Sequence, residues 1–129
     1  MKLNLTLLRG KFAIAQLPPD AAIPAWISQS SFFSISRSAE ELSIICEADI
    51  VPDNIKQELD WRALRVQGPI AFEQVGVLAN LSTTLADGAI SIFSVSTFDT
   101  DYMLVKQPDI PAALKLLEAK GHTIEIEGE

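Results

Sequence analysis

From Val66 onward the apolar residues change their spacing in a fixed order, and no other feature of the chain constrains its fold as tightly. Val75, Leu78, Ser82 and Leu85, flanked by Leu81, recur at helical spacing, with Gly88 where a helix would end. Ile90-Ser91-Ile92-Phe93-Ser94-Val95-Ser96 is rich in β-branched and aromatic residues and reads as a strand. Tyr102-Met103-Leu104-Val105 is its expected hairpin partner, with Phe98-Asp99-Thr100-Asp101 as the corner. Asp109 is placed to cap a second helix, and Pro111 suits its first turn. Ile110, Ala113, Leu114 and Leu117 form that helix's apolar face, Gly121 ends it, and Thr123-Ile124-Glu125-Ile126 closes with a short strand. Strand, helix, strand, strand, helix, strand is the split βαβ, ferredoxin-like plan: an antiparallel four-stranded sheet with both helices on one face.

The first half shows the same order with degraded helices. Leu3-Asn4-Leu5-Thr6-Leu7-Leu8 and Phe12-Ala13-Ile14-Ala15-Gln16-Leu17 form a hairpin or one bent strand about Arg9-Gly10-Lys11. Pro24-Ala25-Trp26-Ile27 sustains only a brief helix. Phe32-Phe33-Ser34-Ile35 and Leu42-Ser43-Ile44-Ile45-Cys46 read as a hairpin, Pro52-Asp53-Asn54 breaks the chain, and Trp61 to Val66 is a further strand. The chain therefore reads as α+β, two consecutive ferredoxin-like βαββαβ units, the first degenerate. The boundary falls near Leu59–Arg65, giving residues 1–62 and 63–129.

Composition narrows the function classes. With 129 residues, 48% apolar and 21% charged, the chain is a folded protein with room for one ordinary domain or two small ones. Seventeen acids against ten bases leave a net charge of −7, which repels phosphate backbones and anionic lipid. Neither nucleic acid nor membrane is an expected partner. Asn4, Thr6 and Arg9-Gly10-Lys11 break up a signal-peptide core, and no run approaches the roughly 20 apolar residues of a membrane span. A cytoplasmic location is expected.

Little in the chain carries catalytic chemistry. Cys46, the single cysteine, sits in an apolar run and reads as a buried, inert thiol. His122, the single histidine, follows Gly121 at a helix end, where a cationic or hydrogen-bonding side chain has a structural use. There is no phosphate loop, dinucleotide glycine pattern or zinc-helix motif, so no cofactor and no enzymatic activity are expected. Asp99-Thr100-Asp101 could share a hard cation or simply form a hairpin corner through local hydrogen bonds; no metal site is assigned. Glu40-Glu41 reads as a solvated turn and Glu125, Glu127 and Glu129 as the outward side of a strand. Trp26 and Trp61 read as core or interface anchors.

Several segments resemble a known family. Phe32-Phe33-Ser34-Ile35 with Glu41-Leu42-Ser43-Ile44-Ile45 and Val51-Pro52 is similar to the first unit of small tandem ACT-domain proteins. Gly68-Pro69-Ile70 through Gly76-Val77-Leu78-Ala79 and Leu85 to Ile90-Ser91-Ile92-Phe93 is similar to such a unit too. Most specific is Ser96-Thr97-Phe98-Asp99-Thr100-Asp101-Tyr102-Met103-Leu104-Val105, which resembles a Ser-Thr-aromatic-x-x-Asp-aromatic-x-Leu-Val segment of the CASTOR type. The resemblance covers roughly Ser31 to Lys120. It implies a regulatory module that binds an amino acid at an interface between ACT units.

The resemblance also implies a ligand set. Gly76, Val77 and Leu78 would offer backbone N–H groups to a carboxylate. Ser91 and Ile92 fall on the strand that offers main-chain groups to ligand in the family's arginine sensor, and Asp101 falls where that sensor holds the ligand's positive end. The sensor has four units in one chain and this sequence has two, so a site between distant units would need a second chain. Val77 and Leu81 widen the apolar face of the first long helix, and a two-fold homodimer is expected. The rival reading is a ligand-free structural or interaction module that keeps the fold and pairs its sheet edges with a partner protein. The protein target is not specified by the sequence.

Overall fold

The computed structural model describes residues 1–68 and 76–128. Among the described residues, eight strands, β1 (Asn4–Leu7), β2 (Phe12–Leu17), β3 (Ser34–Arg37), β4 (Leu42–Glu47), β5 (Lys56–Val66), β6 (Ile92–Ser96), β7 (Asp101–Lys106) and β8 (Thr123–Ile126), accompany two α-helices, α1 (Val77–Asp87) and α2 (Ile110–Ala119). The fold is α+β. Two compact units divide the chain: Gly10–Trp61, and Met1–Arg9 together with Arg62–Glu129.

The Gly10–Trp61 unit has the strand order β3-β4-β2-β5, all antiparallel. Single 3-10 turns at Ala25–Gln29 and Ala48–Ile50 stand in the two places of the degraded helices. Pro24 opens the first turn, and no apolar stripe continues past Ile27, so only one turn pays off in burial. Its core gathers Ala13, Ala15, Ile27, Leu42, Ile44, Cys46 and Val51, with Trp26 packed against it. Phe12 meets the edge of the Phe32 ring, centroids 6.1 Å apart. The β2–β5 register slips between Phe12 and Ile14, and Asp60 opposite takes φ 66°.

The other unit is discontinuous, because the amino-terminal strand is built into it. Its strand order is β6-β7-β5-β1-β8. β1 runs antiparallel to β5, pairing Leu5 with Val66 and Leu7 with Leu64. It runs parallel to β8, pairing Leu5 with Ile124 and Leu7 with Ile126. The expected boundary at residue 62 thus gives way to a unit that reclaims Met1–Arg9. The expected all-antiparallel sheet is mixed for the same reason: a strand inserted between two antiparallel neighbours must run parallel to one of them. β1 and β2 do not pair with each other but with different halves of β5, so the bent strand, rather than the hairpin, describes them. Gly10, at φ 83°, makes the bend between them.

Every second residue of the central strands faces the helices. Leu5, Leu7, Leu64, Val66, Met103 and Val105 form one cluster with Val77, Leu81, Leu85, Ala113 and Leu117. The buried stripe of α1 is Val77, Leu81, Thr84 and Leu85, with Leu78 half-buried. The face therefore lies one position away from the expected Val75-Leu78-Ser82 row; Val75, like Pro69 and Ile70, lies outside the described residues. Val77 and Leu81 are core, not a surplus that a second copy must cover. Gly88 ends α1 as expected, and its hydrogen position faces the Leu116 methyl, where a Cβ would sit 2.3 Å away.

Candidate functional site

The hairpin corner after β6 is fastened by hydroxyl groups. Thr97 N–H donates to the Thr100 carbonyl at 2.8 Å, the Thr97 hydroxyl accepts the Thr100 N–H at 3.2 Å, and the Thr100 hydroxyl donates to the Val66 carbonyl. Gly68 passes so close that a Cβ would stand 2.9 Å from the Asp99 carbonyl oxygen. Within this frame the Ser96 hydroxyl donates to Asp101 Oδ1 at 2.6 Å, across the β6–β7 register that pairs the two residues. Asp101 is half-buried at the first position of β7. One carboxylate oxygen is thus oriented by a hydroxyl rather than consumed by a cation. No cluster of three or more potential metal ligands occurs among the described residues.

Gly76 precedes α1 at φ 86°, a left-handed conformation that favours glycine, and nothing lies within 4 Å of where its Cβ would be. No side chain caps this helix. The N–H groups of its first turn, which begins at Val77 and Leu78, keep the partial positive charge of a helix start. One turn on, the Asn80 side chain meets His122 Nε2 at 3.2 Å. His122 directly precedes Thr123, which pairs with Asn4, and the Asn4 carbonyl accepts the Gln67 N–H at 2.8 Å. The start of α1 therefore lies at the end of the sheet where β5 leaves it, the same end as the Thr100–Val66 contact and Asp101.

Ser91 and Ile92 lie at the other end. Ile92 pairs with Val105 and Ser96 with Asp101, so the four intervening steps separate them by about 13 Å. Ser91 is exposed just before β6, and Ile92 is half-buried against the core. The structure brings Gly76, Val77, Leu78 and Asp101 to one end of the unit and leaves Ser91 and Ile92 at the opposite end. Val77 is itself buried, so only its backbone is available there.

His122 was expected as a cationic or hydrogen-bonding group at a helix end, and it is the latter. It is buried at 4% exposure, and Nδ1 accepts the Leu3 N–H at 3.0 Å. Burial, reinforced by the amino-terminal charge, pushes its pKa below the usual 6.5. A neutral ring accepting at Nδ1 carries its proton on Nε2, which donates to Asn80 Oδ1. Sequence reading missed Asn80 and Thr83, which with Gly76, Asp87 and Lys120 border a cavity of about 410 Å³. Their signal was the polar side of the α1 repeat, Asn80 and Thr83 lying between its apolar positions.

Comparison with known proteins agrees with this architecture. The ACT-domain profile matches residues 57–119, and a profile of an N-terminal domain matches residues 10–54. The crystal structure of protein Atu0741 from Agrobacterium tumefaciens superposes with a TM-score of 0.94 at 36% identity, covering 100% of this chain and 96% of that one. The mouse protein named cytosolic arginine sensor for mTORC1 subunit 1 is 30% identical over 125 residues, 89% of this chain and 38% of the relative. This chain is an ACT-domain protein of the CASTOR type. Aspartate kinase from Synechocystis shares the fold at a TM-score of 0.66 and 16% identity, over 96% of this chain and 28% of the kinase. This ACT-domain protein spans about a third of the length of the curated sensors it matches, 31–38%. No helix among the described residues is long and apolar enough to cross a membrane.

Proposed function

We propose that this ACT-domain protein is a cytoplasmic, non-catalytic regulatory module that binds a free amino acid at an interface between ACT units. The observation that carries the reading is the oriented carboxylate of Asp101, hydrogen-bonded to Ser96, at the same end of the unit as the uncapped start of α1. An amino acid offers complementary groups: its ammonium suits Asp101, and its carboxylate suits the N–H groups of Val77 and Leu78, with Gly76 allowing close approach. Likeness to proteins named as arginine sensors supports the ligand class.

Ser91 and Ile92 complete the set from a second copy. They stand too far along β6 to reach a ligand at Asp101 of their own chain, so a two-fold homodimer supplies them. Each chain then contributes two βαββαβ units, the first with its helices reduced to the 3-10 turns at Ala25–Gln29 and Ala48–Ile50. Calorimetric titration with the common amino acids tests the reading. Saturable heat with at least one of them is expected; no heat and no thermal shift at millimolar concentration with any of them contradicts it.

A further inference from the structure

A backbone N–H group can only donate, and that fixes the state of the ring at residue 122. Leu3 N–H meets His122 Nδ1 at 3.0 Å, so Nδ1 must be bare and the ring proton sits on Nε2, 3.2 Å from Asn80 Oδ1. The ring therefore ties the residue ahead of β1 to the first turn of α1, where Asn80 N–H closes on the Gly76 carbonyl at 2.8 Å. Its own place is set from α2. Gly121, at φ 93°, turns the chain out of that helix, and His122 N–H donates to the Leu117 carbonyl at 3.2 Å. The ring is buried, so water does not readily replace a lost partner.

The surroundings oppose an imidazolium. Burial disfavours it, and the amino-terminal ammonium adds to that. From the β1 side the Lys2 stem lies over Gly121, where a Cβ would stand 3.1 Å from its Cε. Lys120 from the end of α2 and Asp87 from α1, one charge of each sign, border the same cavity as Asn80. Glu118 is exposed on α2, and Glu125 of β8 lies on the opposite face of the sheet, where Gln67 meets it at 3.5 Å. The carbonyl end of α2 favours a cation, but the Leu117 and Glu118 carbonyls already accept N–H groups from Lys120, Gly121 and His122. Among the described residues no carboxylate makes an ion pair with the ring.

We propose that His122 is a proton-operated latch on the segment Met1–Leu3: neutral, it holds the Leu3 N–H, and protonated, it sets Nδ1–H against that N–H and releases it. The release is one-sided, because an imidazolium still donates from Nε2 to Asn80 Oδ1. It also stops short of β1. Thr123 N–H keeps its bond to the Leu3 carbonyl at 2.9 Å, and the β1–β8 ladder continues from Asn4 opposite Thr123. What opens is the Leu3 N–H with Met1 and Lys2, uncovering Gly121. The latch works with or without a bound ligand.

Nitrogen-15 NMR of the full chain across a pH series tests it, reading the His122 ring nitrogens together with amide hydrogen exchange relative to unstructured-chain rates. Above the titration of His122 the ring should show a bare Nδ1 and a protonated Nε2, with the Leu3 amide protected. As pH falls through that titration, Leu3 protection should drop about tenfold or more, while the Leu5 and Ile44 amides keep theirs. His122→Gln offers Leu3 an acceptor and Asn80 a donor without titrating, so it should keep Leu3 protected throughout. His122→Leu offers neither and should leave Leu3 unprotected at every pH. A proton on Nδ1 at neutral pH overturns the latch, as does Leu3 protection unchanged while His122 titrates. Loss of protection at Leu3, Leu5 and Ile44 together overturns it too, since that is unfolding rather than local release. If neither variant folds, the titration of the unaltered chain decides alone.

Discussion

His122 Nδ1 accepts the backbone N–H of Leu3 at 3.0 Å, joining residues 119 positions apart in the chain. This contact fixes the start of β1 beside β8, and the same ring reaches α1 through Asn80. It requires an unprotonated Nδ1. The folded pKa lies below 6.5 because burial disfavours the imidazolium, so between the two values the unfolded chain binds more protons than the folded one. His122 therefore contributes its full stability above about pH 6.5, and that contribution is lost as pH falls through the folded pKa. Urea denaturation at a series of pH values should show stability rising with pH through this window, by at most roughly 1.4 kcal/mol per pH unit for one proton. His122→Gln should flatten the slope there; an unchanged slope would show that another group titrates.

The insertion of β1 makes the unit containing α1 and α2 depend on residues far away in sequence. Leu5 is fully buried and Leu7 nearly so, both in the cluster with Leu81 and Leu117. Leu5→Ala should cost about 2–5 kcal/mol, measured by chemical denaturation. A chain beginning at Gly10 should lose the dispersed NMR signals of Arg62 onward. Retention of those signals with an unshifted unfolding midpoint would refute the discontinuous unit.

Cys46 gives a probe of the other unit. It is fully buried on β4, and burial, with Glu47 and Asp49 nearby, raises its thiol pKa to about 11. Native protein at pH 8 should react with a maleimide far more slowly than protein in urea, because the thiolate is scarce and shielded. Equal rates in the two conditions would place Cys46 at the surface.

The periodic segments were legible and the long-range pairings were not. Thr123-Ile124-Glu125-Ile126 is β8, and the Ile92–Ser96 and Asp101–Lys106 hairpin follows its β-branched and aromatic residues. Gly88 marks the end of α1 because a glycine there meets no penalty from the adjoining Leu116. The place of β1 was hidden, since an alternating strand names its buried face but not its neighbours. Only the closed sheet shows that Leu5 and Leu7 lie between β5 and β8. The face of α1 was misjudged by one position because Val77, Leu78, Leu81 and Leu85 fit two adjacent stripes equally well. The Ser96–Asp101 pairing was implicit in the hairpin register, whereas the His122–Asn80 contact joins two elements whose packing no local pattern encodes.

Asp101 is the residue on which the account of ligand binding turns, and it stands at a hairpin corner where it contributes little to a core. The most direct measurement is a paired calorimetric titration of the wild-type chain and Asp101→Ala with the amino acid that gives the wild type its strongest heat, alongside thermal unfolding of both. The account predicts affinity reduced by about tenfold or more in the variant, with an unfolding midpoint close to that of the wild type. The same affinity in both proteins would contradict it.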